Sequence, residues 1–354
     1  MAMRTRTGHP LKPRAFCPLF AAALAMWATG SGMPAVAQYD PEPDEVIIEE
    51  SDGSSPAASG PFHGAVTPID ERAWSNTASL YAQPPDPAHC SAGVLRPETK
   101  YRFLDAFNAL RARHGLAPVR YNEAADRAAG EAALIMATNN ALSHDPPPSW
   151  TCWTAAGAAA AGSSNLLGGV SSPYLTYEDD NAILAEWLIE GEGDEIGHRR
   201  WMLDPYLDQT TLGRVIAVLP GGVRVDSVVM KVFDFPGTLS GQGRLPKAPD
   251  LVAWPQGDYP AMFFSPRARL SFSVSQDPDA AASVDFSDAR VSITDGERSL
   301  PVRDQLADNE GYGVANCLSW RVDGIVSGRT YTVKISGVRD APRDQYSYTF
   351  RITN

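Results

Sequence analysis

The spacing of apolar positions changes along the chain, and the changes divide it. "LRPETKYRFLDAFNALRARHG" puts Phe103, Phe107 and Leu110 on one helical face, with Pro97 suited to the first turn and Gly115 to the stop. A second helix follows in "EAADRAAGEAALIMATNNAL". Asn122 can cap it, and Ala125, Ala129, Ala132 and Met136 give it a narrow face that permits close packing. The alanine-rich "TAAGAAAAGSSNL" reads as a short helix or a loop, because Gly157 and Gly162 interrupt it. In "DDNAILAEWLIEG" a third clear helix is capped by Asp179 or Asp180, buries Ile183, Leu184, Trp187 and Leu188, and ends at Gly191. "LGRVIAVLP" and "VRVDSVVMKVFD" then form a hairpin through "PGG". Helices around a small antiparallel sheet make an α+β domain ending near Pro236.

Beyond a Gly/Pro-rich linker, residues 237–260, the period is two. "ARLSFSVS", "ARVSITDG", "GVANCLSWRV", "TYTVKISGV" and "YSYTFRIT" alternate apolar and polar residues with turns between them, the pattern of an all-β sandwich over residues 261–354. "SGRTYTVKI" resembles the tyrosine-corner segment of immunoglobulin and fibronectin type III modules, and the resemblance implies that the Tyr331 hydroxyl bonds back to the preceding turn.

The N-terminal end reads differently. Arg4, Arg6, Lys12 and Arg14 precede an apolar stretch from Phe16 to Trp27 and an "AVA" before Gln38, so residues 1–37 are expected to be a signal peptide and the protein exported, extracellular or periplasmic. The apolar stretch is too short to span a bilayer, and no later one reaches the length a transmembrane segment needs. Residues 38–67 hold seven acids between Tyr39 and Asp52 and read as an acidic disordered linker. An irregular lead-in at 68–89 follows. Losing four basic residues and no acids takes the net charge from −12 to −16, which argues against nucleic acid as a partner. Of the cysteines left in an oxidising compartment, Cys90 and Cys152 flank the same helical region and are expected to pair, leaving Cys317 over.

Familiar catalytic signatures are missing. The chain has no Gly-x-Ser-x-Gly elbow, no His-Glu-x-x-His, no phosphate-cradling Gly-Lys-Ser/Thr loop and no Cys-x-x-Cys. The remaining chemistry is scattered. His144 follows the second helix, "SSNL" the alanine run, Trp187 and Glu190 form Trp-x-x-Glu, and Gly197-His198 opens "GHRRWML". In this order the segments from about Cys90 to Pro236 resemble the CAP superfamily of cysteine-rich secretory proteins, antigen 5 and pathogenesis-related 1 proteins, in its bacterial branch.

The resemblance implies an α-β-α sandwich with a cleft where two histidines and two acids converge, able in some members to hold zinc or another divalent cation. His144, Glu190 and His198 match three of those positions. At the fourth, Ser164 stands where the family carries a carboxylate, so Ser164 and Asn165 line the cleft without a base, and only Glu195 or Glu192 could substitute. Two imidazoles and one carboxylate suffice for a zinc ion with an open water position, whereas hydrolysis also needs a proton acceptor that a serine does not supply. The expected function is therefore a secreted binding module for an unidentified extracellular or cell-envelope partner. A metal-dependent hydrolase, protease or cell-wall enzyme, is the alternative, and lipid or sterol carriage the third reading. Plainer roles stand beside these. His144 could brace a helix end, Glu190 could be solvated, Arg199 and Arg200 could pair with nearby acids, and Trp187 and Trp201 are read as core.

Overall fold

A computed structural model describes residues 76–171, 179–191, 193, 195–235, 248–275, 281–309 and 312–354, with side chains of 169–171 excepted. The expected signal peptide and acidic linker lie outside the described residues, as does Glu192. The first described elements are a 3-10 turn and the strand β1 (Tyr81–Gln83), which pairs with β2 (Val94–Leu95). The lead-in is thus not wholly irregular. Leu80 and Tyr81 are buried, and the Tyr81 hydroxyl donates to Arg214 O and accepts from Ile216 N, fastening this segment to the sheet.

Helix α1 (Pro97–Arg113) leads through β3 (Arg120–Tyr121) and a 3-10 turn capped by Asn122 into α2 (Asp126–Asn139). The alanine run forms α3 (Ala155–Ala161), started by the Thr154 side chain, and is followed by β4 (Ser164–Ser171). Next come α4 (Asp180–Ile189), whose Ala182 N is capped by Asp179, the short α5 (Gly197–Met202), and the hairpin β5 (Gln209–Val218) and β6 (Arg224–Lys231).

One four-stranded sheet, in the order β3-β5-β6-β4, carries helices on both faces. Alternation along the strands explains the layering. Leu212, Ile216, Val228 and Met230 face the core built by Phe103, Phe107, Leu110, Ile183, Leu184 and Trp187, whereas Val215, Val225 and Val229 face the alanines of α2 and α3. The small-residue face of α2 has a clear purpose at Gly213, where an added Cβ would lie 2.1 Å from Ala129 O. The helix backbone rests directly on the strand. The Cys90–Cys152 disulfide forms and ties the start of α3 to the segment before β2.

The second half is a β-sandwich. Its strands are β7 (Leu251–Trp254), β8 (Gly257–Pro260), β9 (Leu270–Val274), β10 (Arg290–Thr294), β11 (Ser299–Leu300), β12 (Val302–Asp308), β13 (Cys317–Val322), β14 (Thr330–Ser336) and β15 (Gln345–Thr353). Sheets β11-β10-β14-β15-β8 and β12-β13-β9-β7 close over Phe272, Trp320, Tyr331, Val333 and Phe350. Residues 251–260, expected as linker, are therefore its first two strands. Their short length and flanking prolines hid the period. The Tyr331 hydroxyl accepts from Val326 N at 2.8 Å and donates to Gly324 O, the back-bonding of a tyrosine corner. The chain is α+β, an α-β-α sandwich followed by an all-β one. A single apolar cluster runs from Phe103 and Trp187 through Trp254 into the β-sandwich.

Candidate functional site

The site begins with the way α4 ends. Glu190 itself takes the left-handed conformation that closes the helix, at φ 55°, one residue before the expected Gly191. That turn aims its carboxylate at the start of α5. Oε1 accepts from His198 N at 2.8 Å, Oε2 accepts from Arg199 N at 3.3 Å, and His198 Nδ1 lies 3.1 Å from Oε1. The acid is 8% exposed and satisfies two of the amides a helix start leaves open. The His198 ring is oriented by the same group. Nδ1 thus lies at ion-pair distance from Glu190, and among the described residues Nε2 has no partner.

His144 reaches the same place from the other side. Its Nδ1 donates to Ala161 O at 3.0 Å, the last carbonyl of α3, which leaves Nε2 as the acceptor. The two ring centroids are 6.5 Å apart with planes at 38°. Among the described residues neither Nε2 has a partner. His144 is exposed and the His198 side chain is 36% exposed, so the pair borders solvent. The plain reading of His144 holds, since Nδ1 braces α3, and its Nε2 is left without a partner among the described residues.

The rest of the expected shell does not converge. Ser164 is buried and its hydroxyl donates to Ala160 O at 2.6 Å, so it completes the end of α3 rather than lining the cleft. Asn165, also buried, donates from Nδ2 to His198 O at 3.1 Å and positions the backbone that carries the ring. Glu195 is exposed on the loop before α5. Glu190 stands behind His198 with both oxygens engaged, and so is not a third ligand beside the imidazoles. Among the described residues no three His, Cys, Asp or Glu side chains converge on one point. The donor set is two imidazole nitrogens, one short of the three protein ligands of a catalytic zinc site, and does not fit a resident metal.

Three further residues were not legible as parts of this neighbourhood. Lys231, buried at the end of β6, donates to the Ser163 hydroxyl, and burial pulls its pKa down while Asp234 opposes. Phe233 lies past the end of β6, not within it, and is 37% exposed. Trp201, read as core, is only partly buried and stacks on Phe233 with centroids 4.6 Å apart and planes at 23°. An aromatic just beyond a strand end was the available signal.

The opposite side of α5 is locked. Arg199 is buried. Its guanidinium donates to Leu188 O, Ile189 O, Arg269 O and Ser271 Oγ and lies 3.9 Å from the centroid of the Trp254 ring. Arg200 pairs with Asp308 at 2.6 Å and donates to Val314 O. Neither arginine uses the acids near it in sequence as its main partner. At Gly313 an added Cβ would sit 2.3 Å from Arg200 O, so the sandwich loop presses on the backbone of α5. The β-sandwich therefore holds the helix that carries His198.

Residues 104–216 match the model of CAP, the cysteine-rich secretory protein family. No curated protein matches the sequence significantly. Among solved structures, an outer surface protein from Borrelia burgdorferi is similar at 14% identity over 38% of this chain and 92% of that one, with a TM-score of 0.24. An extracellular protein containing a SCP domain from Bacillus anthracis is similar at 19% identity over 40% of this chain, with a TM-score of 0.24, and the match spans 45% of that chain. Both imidazoles lie within the matched residues, 104–216, so the part of the chain that carries them is similar to the cysteine-rich secretory protein family, CAP.

Proposed function

We propose that the chain is an exported binding module whose ligand is held between His144 and His198. The observation that carries this reading is the pair of Nε2 atoms without a partner among the described residues, one on a ring anchored to Ala161 O and the other on a ring beside the Glu190 carboxylate. Such rings accept hydrogen bonds from hydroxyl or amide groups with little reorganisation. Catalysis is less well supplied. A hydrolase needs a base near the attacked atom, yet Glu190 caps α5, Ser164 serves α3 and Glu195 is exposed. Zinc or another divalent cation would find two nitrogens and would exchange freely, with its remaining positions left to water or to ligand.

Export is supported by the basic and apolar N-terminal pattern and by the Cys90–Cys152 disulfide, and the Bacillus protein is described as extracellular. Among the described residues no helix is long and apolar enough to cross a membrane. The partner is an extracellular or cell-envelope molecule. Lipid or sterol carriage has less support, since a cavity of about 300 Å³ opens away from the histidines, at Ser327, Gly328 and residues 351–354. Zinc titration of purified protein labelled at histidine ring carbons tests the reading. The His144 and His198 resonances are expected to move together, with a dissociation constant of roughly micromolar or weaker, and casein and cell-wall material are expected to stay intact. Turnover abolished by His144→Ala would replace the binding module by the hydrolase.

A further inference from the structure

We infer that the cleft continues into an aromatic subsite, Trp201 and Phe233, and that the ligand it takes is a neutral carbohydrate chain. This rests on the binding reading and names its ligand class. The two pairs of rings share their supports. His198 and Trp201 are three residues apart on α5, which puts them on one side of that helix. Their partners both hang from the turn between α3 and β4. His144 is anchored on Ala161 O, while Ser163 O receives the backbone N–H groups of Val232 and Phe233. One strip of surface therefore runs from an imidazole pair to an aromatic pair, bridging α5 and that turn at both steps.

The chemistry of the strip selects its ligand. An aromatic face carries a negative quadrupole and attracts the weakly positive C–H face of a saturated ring. Beside it the His144 Nε2 accepts and the His198 Nε2 can accept or donate, which suits hydroxyl or amide groups. A sugar chain presents both, an apolar ring face on one unit and donor hydroxyls on the next. Charge points the same way. An exported chain of net charge −16, without residues 1–37, repels phosphorylated or carboxylated polymers, so a neutral glycan is favoured. Trp201 packs one side against the core and offers the other to Phe233. Phe233 remains 37% exposed after stacking, although its neighbours Val232 and Phe235 are buried.

Calorimetry and histidine-ring spectra of the full chain with chitotetraose, the tetramer of N-acetylglucosamine, and with cellotetraose test the proposal. At least one oligomer is expected to bind and to shift the His144 and His198 resonances. Phe233→Ala, at an exposed position, is expected to weaken that binding at least tenfold while leaving the zinc response and the melting temperature as they are. Binding that His198→Gln abolishes but Phe233→Ala leaves unchanged overturns the aromatic subsite alone. No binding of either oligomer by protein whose histidines still respond to zinc overturns the carbohydrate assignment. Histidine resonances that respond to neither probe overturn the cleft reading and this inference with it.

Discussion

His114 and His198 are the same residue type in opposite circumstances. At the end of α1, His114 is fully buried against the β-sandwich, with Nδ1 bonded to Ala253 O at 2.9 Å and Nε2 to the Tyr259 hydroxyl at 3.1 Å. Burial, with Arg111, Arg199 and Arg113 nearby, holds its pKa down at about 4. Both nitrogens are engaged, and the ring contributes to structure alone. His198 sits on α5 beside Arg199, the residue that links the same helix to the same sandwich, yet one of its nitrogens is open to solvent. The difference teaches that the site lies where a ring keeps hydrogen-bonding capacity, whereas at the adjoining interface His114 and Arg199 have theirs engaged.

The sharpest way to break the comparison is to substitute the neighbours on α5 one at a time. Arg199→Ala strands three carbonyls and a hydroxyl and removes a ring contact, and is expected to cost on the order of 5 kcal/mol in denaturant unfolding. His198→Ala, one residue away, is expected to change stability by no more than about 0.5 kcal/mol. Equal losses from the two would show that the cleft is as structural as the interface.

The disulfide tests the other wall. Cys90 and Cys152 are 62 residues apart, and opening that loop is expected to cost about 4 kcal/mol on a chain-entropy account. The loss should appear first in α3 and His144 by hydrogen exchange, with the interface around His114 protected for longer. Simultaneous exposure of both would make the two regions one cooperative unit.

A third measurement uses protons. The folded pKa of His114 is depressed to about 4 from an ordinary 6.5, so the unfolded chain takes up this proton first on acidification. Its contribution is present in full above pH 6.5 and is withdrawn as pH falls to about 4, a change of about 3 kcal/mol. Asp204, raised by burial to about 6, titrates in the opposite sense and stabilises as pH falls through that value. Comparing wild type with His114→Gln cancels the aspartate. The wild type is expected to lose about 3 kcal/mol relative to the variant between pH 6.5 and pH 4.

Local pattern was a sound guide wherever a residue's neighbours in sequence set its environment. The helices, the β5–β6 hairpin, the Asn122 and Asp179 caps and the Ala-rich face of α2 follow from periodicity and capping chemistry, because those depend on residues within one turn or one strand. The order of segments also carried the CAP resemblance. Roles were less legible. Glu190 looked like a ligand and is a cap, and Ser164 looked like a cleft residue and completes a helix end, while Trp201, read as core, packs against it partly buried. Glu190 takes its amides from the next helix, whose approach the local pattern does not encode, whereas Ser164 bonds a carbonyl only four residues away, a choice between helix end and cleft that spacing leaves open.

By itself the sequence determined which faces are apolar, where elements start and stop, and which two cysteines share a helical neighbourhood, all consequences of short-range geometry and burial. Only the tertiary structure decided that His144 and His198 face one another, that the β-sandwich clamps α5, and that Arg200 pairs with a residue 108 positions away. The physical reason is that a hydrogen bond's direction is settled by whichever donor or acceptor packing brings within about 3 Å, and packing here joins segments remote along the chain.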